Sequence, residues 1–330
     1  MHPDLHIRSI SLSNKSEWSE VLKGIPHSFF QTWSYCDALQ KSQQNAIEML
    51  SIRYNESGLV VIYSKRSKND IGIDIYSPYG FGGILIWGVD HQFIIESFET
   101  WMQENKIVTA FLMSHPAFDN NRNNQFVHIR SSYVLDLSAS EDELWLGMAD
   151  SHRHELKKLF KDSKITVTDD KAEILKVLPA LYKDTLARVG AASNYFFSTE
   201  TLKALVHDVN TIVLGGEIGG KMHAVVIICY SGECAEYFIN ATDVEGRNLT
   251  RLLLWEGMRK LRSLGIMKFN LGGGAEEGDQ LEAYKKRFGG RKAFIPLYRK
   301  IVNHDQYGSL CRSYNKDPTD ISYFPPYWKS

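Results

Sequence analysis

The same order of secondary-structure elements occurs twice along this chain of 330 residues. In the second half, the pattern of apolar residues predicts three strands that begin near Thr211, Met222 and Cys234. An amphipathic helix then runs from Leu249 to Leu264, and a short strand follows at 267–271. An internal repeat on this scale predicts two related domains that each combine a sheet with helices.

The first half repeats this order less regularly. Its predicted elements are a helix at 32–41, strands at 46–54, 59–64 and 72–77, a loop at 78–83, a helix at 90–105 and a strand at 108–113. We therefore assign residues 1–145 to a first domain and residues 146–309 to a second. We expect the C-terminal tail, 310–330, to complete the first domain. A cleft between the two domains is the expected place for a long substrate.

Composition limits the function classes that this chain can belong to. With 43% hydrophobic residues, it has enough apolar material for two folded cores. A net charge of −1 argues against DNA as a partner. The longest apolar stretch, Ala224 to Tyr230, is too short to span a bilayer, and the first residues lack the pattern of a signal peptide. We therefore predict a cytoplasmic protein without an integral membrane segment.

Cysteine and histidine spacing predicts neither a disulfide framework nor a metal site. The four cysteines form no Cys-x-x-Cys pair, so reduced thiols are expected. Cys229 and Cys234 flank a tight turn and are candidates for cross-strand neighbours, with packing as their expected role. His152 and His154 lie two residues apart, which puts them on different faces of a helix. We predict that the chain binds no metal ion.

A glycine triplet marks the end of the last predicted strand of the second half. Residues 267–271 run directly into Gly272-Gly273-Gly274. Because glycine has no side chain, a ligand can approach the peptide N–H groups there closely. The helix that follows carries Asp279 near its start and Lys285 about one and a half turns later.

Two segments are rich in basic residues. Between Lys285 and Lys300 there are seven lysines or arginines and no acidic residue. The segment 152–164 adds Arg153 and four lysines against two acids. Each run is either a solvated face or part of a site for an anionic group such as a substrate phosphate.

Several motifs, in order, resemble those of the GNAT acyltransferase fold and of its duplicated form, the Fem-type peptidyltransferases. The matching segments are Ser77 to Gly83, Tyr133 to Leu137 with Arg153 to Lys158, Thr185-Leu-Ala-Arg188, Tyr237 to Thr242, Leu271 to Gly274, and Tyr284-Lys285 with Phe288-Gly289. The resemblance covers about residues 25–310. It implies an α/β fold, more narrowly α+β with a mixed sheet, built from two tandem GNAT-like domains with a cleft between them.

The resemblance also implies an enzyme. Its expected activity is the transfer of an acyl or aminoacyl group onto an amine of a cell-envelope precursor, either a peptidoglycan peptide or an amino sugar of a surface polysaccharide. The precursor is expected to be linked to a nucleotide or a lipid. Lys285 occupies the position of the family lysine and Asp279 is a candidate proton acceptor. Lys286 competes with Lys285, and an N-cap role competes for Asp279.

The remaining candidate residues are expected to bind substrate. They are Arg188, Arg153, Tyr237, Tyr79, Gly80, Gly82, Gly83, Gly272, Gly273 and Gly274. Arg188 matches a family arginine that contacts a phosphate, for which guanidinium is well suited. A surface arginine and simple tight turns are the alternatives for Arg188 and for the glycines.

The acyl donor is left open between aminoacyl-tRNA and acyl-CoA, and no tightly bound cofactor is expected. The stretch Arg247 to Leu252 aligns with the loop that holds the CoA pyrophosphate at a helix N-terminus, but Thr250 and Leu252 stand where small residues are needed. This favours charged tRNA, whereas the lack of a heptad-rich tRNA-binding arm weakens that case. The alternatives are an acetyl-CoA-dependent N-acetyltransferase of a nucleotide sugar and a non-catalytic binding protein on a GNAT scaffold.

Overall fold

The computed structural model describes residues 3–68, 72–118, 126–192, 195–274, 277–320 and 322–329, without the side chains of residues 128 and 129. Its strands, β1 to β13 in chain order, are Leu5–Ser11, Ile47–Tyr54, Ser57–Ser67, Ile73–Tyr76, Ile84–Trp87, Ile107–Met113, Phe126–Asp136, Ile165–Thr168, Thr211–Ile218, Lys221–Ser231, Cys234–Thr242, Lys268–Asn270 and Arg291–Ile301. Its helices, α1 to α10, are Lys15–Leu22, Trp33–Gln40, His91–Glu104, Glu141–Gly147, Asp150–Lys161, Lys171–Arg188, Thr199–His207, Leu249–Ser263, Gln280–Lys286 and His304–Ser313.

The chain divides into two compact units that interleave in sequence. The first unit consists of Met1–Lys23, Gln43–Ile129 and Ile295–Ser330, and the second of Gly24–Ser42 and Arg130–Phe294. The C-terminal tail therefore lies in the first unit. The segment 24–42 lies in the second unit, where Ser42 and Thr201 share a hydrogen bond of 2.6 Å. These units differ from a division at residue 145, and the domain limits given above stay a prediction.

Each unit contains the repeat that the sequence predicts. In the first unit, β2, β3 and β4 form an antiparallel meander, and β6 then pairs in parallel with β4 after helix α3. In the second unit, β9, β10 and β11 form the meander, and β12 pairs in parallel with β11 after helix α8. The predicted α/β fold with mixed sheets and two tandem GNAT-like domains is therefore confirmed.

Helix α8 shows how the sequence positions the second unit's core. Its apolar residues recur every three or four positions, so that Leu249, Leu253 and Leu261 lie on one buried face. This face packs against β9 and β10, and the helix ends before Gly265, whose φ of 76° suits a C-terminal glycine. Polar residues start other helices: Ser140 and Glu143 form a capping box at α4.

The four cysteines are buried and have free thiols. Cys229 and Cys234 are not directly opposite each other in the hairpin, because Cys229 lies opposite Glu236 and Cys234 lies opposite Ser231. The hairpin loop contains only two residues, 232 and 233. This short loop sets a strand register in which the two cysteines are not opposite each other. Burial raises the pKa of Cys234 to about 12, so this thiol is protonated at neutral pH.

Among the described residues, no helix has both the length and the apolar composition that crossing a membrane requires.

The C-terminal tail is anchored in the first unit by Asp74. This carboxylate is 3% exposed and accepts hydrogen bonds from Thr109 Oγ1 at 2.6 Å, Tyr327 Oη at 2.7 Å and Trp328 Nε1 at 2.7 Å. Charge-assisted bonds of this kind are the stronger ones in proteins. A buried acid in β4 thus joins the tail to the sheet.

Replacing Asp74 by asparagine should lower the free energy of unfolding by about 3 kcal/mol, because the amide removes the charge and turns one acceptor into a donor facing buried N–H or O–H groups. Guanidinium denaturation followed by circular dichroism measures this effect. Asp305→Asn is the matched control, since Asp305 is exposed in the first turn of α10. Equal stability losses in the two variants would contradict the anchoring role.

Candidate active site

The parallel pairing of β11 and β12 ends after the first third of β11. It covers Cys234 to Glu236, with Glu236 opposite Asn270, although β11 continues to Thr242. A bulge lies just beyond this point, because Ile227 of β10 faces Ile239 while Ile228 faces Tyr237, which leaves Phe238 as the extra residue. Bulges of this kind re-aim side chains and are frequent beside active sites. Beyond Glu236 the two parallel strands are no longer paired, and we refer to this place as the gap between β11 and β12.

The glycine turn that follows β12 lies against β7. Gly272 has a φ of 73°, donates its N–H to Asn270 Oδ1 at 2.9 Å and accepts from the Tyr133 N–H at 3.1 Å. A methyl group on Gly273 would overlap the carbonyl oxygen of Ser131. Glycine is therefore needed at 272 for its backbone conformation and at 273 for the close approach.

A buried polar network fixes this turn from inside the sheet. Asn270 is 1% exposed and Glu236 is 2% exposed. Asn270 Nδ2 donates to Glu236 Oε2 at 2.9 Å, while Asn270 Oδ1 accepts from Ser132 Oγ at 2.5 Å as well as from Gly272. Satisfied buried networks hold a local geometry firmly. The sequence analysis missed these residues; the available signal was a polar residue within or at the end of an apolar strand, Glu236 in β11 and Asn270 at the end of β12.

Helix α9 is held to β7 by Glu282. This buried carboxylate accepts from Tyr133 Oη at 3.0 Å and from the Gly278 N–H at 2.6 Å, and these bonds lower its pKa. Asp279 is the N-cap of α9, with its side chain accepting from the Glu282 N–H at 2.7 Å. The structure gives Asp279 this capping contact, and its role as proton acceptor stays a prediction.

Lys285 extends from α9 to the glycine turn. Its Nζ donates to the carbonyl of Gly273 at 2.7 Å, and lies 3.0 Å from where a side chain at Gly272 would begin. It also lies 5.9 Å from the ring centroid of Tyr237, within reach of a cation–π contact. The structure thus brings together four of the residues that the sequence analysis selected. The neighbouring Lys286 is exposed.

The environment of Lys285 favours its neutral form more than water does. Burial lowers the pKa of its ammonium from 10.5 to about 8, while the charge of Asp279 acts in the opposite direction. About nine in ten molecules then carry a protonated Lys285 at pH 7. The side chain is therefore a partly desolvated cation that can donate hydrogen bonds and also give up a proton near neutral pH.

The Thr185-x-x-Arg188 motif lies at the far end of β11. Thr185 Oγ1 donates to the Thr242 carbonyl at 2.9 Å and accepts from the Thr242 N–H at 2.8 Å. Arg188 Nη2 donates to Thr242 Oγ1 at 3.0 Å, and the residue as a whole is exposed. The motif therefore fixes the end of the strand that borders the gap and presents a guanidinium to solvent.

Arg153 has a local structural role. It forms an ion pair with Asp150 and donates to the Leu146 carbonyl at 3.2 Å, so it holds the start of α5. Its assignment to substrate binding stays a prediction. The same holds for Gly274, which ends the described part of the turn.

Tyr79, Gly80, Gly82 and Gly83 lie in the first unit, in the loop between β4 and β5. The Gly83 N–H donates to the Met113 carbonyl at 2.9 Å, and a methyl group on Gly83 would overlap Ser77 Oγ. Packing alone therefore requires glycine at this position. Substrate binding by this loop stays a prediction.

The loop before α8 is organised by a histidine and an aspartate. His223 is 3% exposed, and its Nδ1 lies 2.7 Å from Asp243 Oδ2. Asp243 Oδ1 accepts from the Gly246 N–H at 2.9 Å, and a side chain on Gly246 would overlap the His223 carbonyl. This pair, which the sequence analysis missed, positions the start of α8.

Thr250 and Leu252 do not project into solvent at the start of α8. Thr250 Oγ1 donates to Asn240 Oδ1 at 2.9 Å, and both residues are 4% exposed. Their size therefore does not by itself argue against a phosphate at this helix end.

In the described part of the chain, no group of three His, Cys, Asp or Glu residues is arranged to hold a metal ion.

Residues 149–286 match the family model described as an acetyltransferase (GNAT) domain. A comparison with curated proteins finds no match. Among solved structures, the chain is similar to FemX, with a TM-score of 0.68 and 13% identity, over 92% of this chain and 99% of that one.

Two further structures share the fold. The C-terminal domain of a protein described as a lysylphosphatidylglycerol synthetase from Agrobacterium fabrum matches with a TM-score of 0.60 and 14% identity, over 92% of this chain and 95% of that one. L-PGS from Bacillus licheniformis matches with a TM-score of 0.57 and 11% identity, over 87% of this chain and 92% of that one. At these identities the similarity establishes the fold, and the matched domain contains Lys285, Tyr237 and the glycine turn. The chain therefore contains a match to a GNAT acetyltransferase domain at residues 149–286 and shares the fold of FemX.

Proposed function

We propose that the chain transfers an acyl or aminoacyl group onto an amine of a cell-envelope precursor in the cytoplasm. The acceptor is either a peptidoglycan peptide or an amino sugar of a surface polysaccharide, linked to a nucleotide or a lipid. The resemblance of the sequence motifs to Fem-type enzymes and the similarity to a protein whose name describes an aminoacylated lipid support an envelope substrate. The observation that carries the proposal is the partly desolvated Lys285 ammonium on the Gly273 carbonyl, at the gap between β11 and β12.

The gap supplies what acyl transfer to an amine requires. Beyond Glu236, β12 no longer pairs with β11. The backbone N–H and C=O groups on this edge of β11 can therefore form hydrogen bonds that align an extended acyl donor. The neutral amine attacks the acyl carbon and forms a C–N bond, and the carbonyl oxygen becomes an oxyanion. The Lys285 ammonium donates a hydrogen bond to that oxyanion, which a preorganised cation stabilises most where water is excluded.

Collapse of the tetrahedral intermediate breaks the bond from the acyl carbon to sulfur or to the ribose oxygen of the donor. The proton that the attacking amine loses ends on this leaving group, so that an amide and a free thiol or hydroxyl are formed. With a pKa of about 8, Lys285 is suited to relay this proton.

A second candidate differs in the donor. An acetyl-CoA-dependent N-acetyltransferase acting on a nucleotide sugar is favoured by the match of residues 149–286 to an acetyltransferase domain. The inward packing of Thr250 and Leu252 is compatible with a pyrophosphate at the start of α8. Aminoacyl-tRNA remains the donor that the resemblance of the sequence motifs to Fem-type enzymes favours.

The test is a panel of donors and acceptors. Full-length protein is incubated with labelled acetyl-CoA or, separately, charged tRNA, together with amino-sugar nucleotides or nucleotide-linked peptidoglycan peptides. Amide formation in one donor arm supports the proposal and identifies the donor. The absence of transfer in every arm would contradict it.

The rate of transfer should fall as the pH rises through about 8, because Lys285 then loses the proton with which it stabilises the oxyanion. The sign follows from the lowered pKa: the ammonium is present below this pH and absent above it. In Lys285→Arg the cation persists to much higher pH, so any residual activity should lack this descending limb. Measuring kcat/KM from pH 6 to 10 for both proteins tests this, and identical profiles would contradict it.

A further inference from the structure

An apolar ridge lies between two open clefts on the surface of the second unit. The ridge consists of Trp145 and Leu146 of α4 and Phe160 of α5. Leu146 is 67% exposed and Phe160 is 49% exposed, and neighbouring apolar groups that are this exposed are typical of interaction sites. Trp145 is part of the wall of both clefts, so its ring forms the crest between them.

The core of the second unit supports this ridge. The ring of Trp145 lies edge-on to Trp255 of α8, with 5.3 Å between the ring centroids, and stacks against Phe160 at 6.3 Å. Trp255 is itself only 5% exposed. A tryptophan that is fixed in this way is the kind of side chain that dominates the binding energy of protein interfaces.

The two clefts carry charges of opposite sign. The first has a volume of about 520 Å³ and carries three carboxylates and one guanidinium, those of Glu141, Asp142, Glu256 and Arg259. The second has a volume of about 350 Å³ and carries two cations, one carboxylate and one histidine, those of Arg153, Lys157, Asp150 and His154. We refer to the ridge with its acidic and its basic cleft as the bipolar patch.

One exposed charge on each side of the ridge is left without an ion pair. The pairs that form within the patch are Arg259 with Glu141, Arg259 with Glu256, and Arg153 with Asp150. Asp142 and Lys157 are exposed, and in the part of the chain that the structure describes neither forms an ion pair. The bipolar patch therefore offers a free carboxylate on one side of Trp145 and a free ammonium on the other.

The opposite charges select the kind of partner that fits. A partner of a single sign, such as a nucleic acid or an anionic membrane surface, would be attracted by one cleft and repelled by the other. A two-fold axis through the ridge instead brings the acidic cleft of each copy against the basic cleft of the other. The same axis places the two apolar ridges together, where each cleft has room for an apolar side chain. A second copy of this chain thus matches both the charges and the apolar ridge.

We propose that the bipolar patch is a self-association surface through which two copies of this chain form an isologous dimer. Asp142 then lies beside Lys157 of the partner subunit, and Leu146 is buried near the two-fold axis. The proposal does not depend on the transfer reaction. It also gives a role to Lys157, which lies in the basic segment 152–164 and which the candidate active site does not use.

Sedimentation velocity of the full-length protein at increasing concentrations tests the proposal. The wild type should form dimers as its concentration rises to about 100 µM. Leu146→Asp should weaken dimerisation by at least about 100-fold, because it places two carboxylates in the apolar centre of the interface. Val209→Asp is the matched control, since Val209 is 84% exposed and lies outside the bipolar patch, and this variant should dimerise as the wild type does.

Charge exchange tests the two-fold arrangement. Asp142→Lys and Lys157→Asp should each weaken dimerisation by about tenfold to 100-fold, because each variant sets like charges against each other at two symmetric contacts. The variant with both substitutions restores opposite charges and should dimerise within about threefold of the wild type. Lys203→Asp is the control, since Lys203 is exposed on α7 outside the patch, and it should leave dimerisation unchanged.

Circular dichroism confirms that each variant is folded, and recovery in the double exchange cannot result from unfolding. A wild type that stays monomeric up to about 100 µM would overturn the proposal and would leave the patch to a different protein. A dimer that Leu146→Asp leaves intact would overturn it as well. A folded double exchange that dimerises no better than the single variants would overturn the two-fold pairing of Asp142 with Lys157.

Discussion

Replacing Lys285 by alanine should lower kcat/KM for acyl transfer by about 10²- to 10³-fold, the loss typical of removing one donor to an oxyanion. The alanine variant keeps the glycine turn and the gap between β11 and β12 but lacks the cation that lies 2.7 Å from the Gly273 carbonyl. The loss should be mainly in kcat, because the oxyanion exists only in the transition state and the intermediate. Steady-state kinetics with the donor identified by the transfer panel measures it.

Lys286→Ala is the control for this prediction. Lys286 is the next residue on α9, is exposed, and competed with Lys285 on sequence grounds. Its replacement should change kcat/KM by less than about twofold, as expected for a surface substitution. If both alanine variants lose activity equally, or if Lys286→Ala loses more, the assignment of Lys285 is wrong.

Replacing Gly273 by alanine should abolish most activity and lower the free energy of unfolding by about 1–3 kcal/mol, as overpacking typically does. The added methyl group would overlap the Ser131 carbonyl, so either the turn or β7 has to move. Either movement displaces the carbonyl that accepts the Lys285 hydrogen bond. A misplacement of about 1 Å in a catalytic group is enough to cost on the order of 100-fold in rate.

Gly147→Ala is the matched control for Gly273→Ala. A methyl group on Gly147, at the end of α4, meets no atom within 4 Å. Urea denaturation and kinetics on both variants separate a general effect of glycine replacement from the specific one. Wild-type stability and activity in Gly273→Ala would show that the turn tolerates a side chain and would contradict its proposed role.

The repeated meander was predictable because its strands carry regular apolar patterns and are separated by turn residues. Strand β5 was missed, since Ile84 to Trp87 is only four residues long and follows a glycine-rich loop that gives no strand signal. Strand β13 was missed because Pro296 and the basic residues at both of its ends argue against a strand. Its apolar middle pairs with β6 through Leu297 and Tyr298, a long-range contact that local patterns cannot reveal.

The basic run from Lys285 to Lys300 illustrates the same limit. Its seven basic residues, with no acidic residue among them, indicated either a solvated face or an anion site. In the structure, Lys285 contacts the glycine turn, whereas Lys292 pairs with Glu277 and Lys300 with Glu99. Charge counts alone do not distinguish these environments, which are set by the helix and the strand that carry the residues.

The candidate site was predictable where a motif is contiguous in sequence. The glycine triplet and Lys285 lie within 14 residues of one another, and the resemblance to Fem-type enzymes selected both. The network of Ser132, Glu236 and Asn270 was not predictable, because strand pairing brings Asn270 together with residues 34 and 138 positions away. The contacts of the Tyr284 ring with His152 and Arg251 depend in the same way on the packing of three helices.

Mass spectrometry of the acceptor after a single turnover tests the central claim most directly. Wild-type protein, Lys285→Ala and Lys286→Ala are compared side by side with the same donor and acceptor. The account predicts an amide on the acceptor amine with the wild type and Lys286→Ala, and little or none with Lys285→Ala in the same time. No amide with the wild type, or equal amide formation by Lys285→Ala, would contradict it.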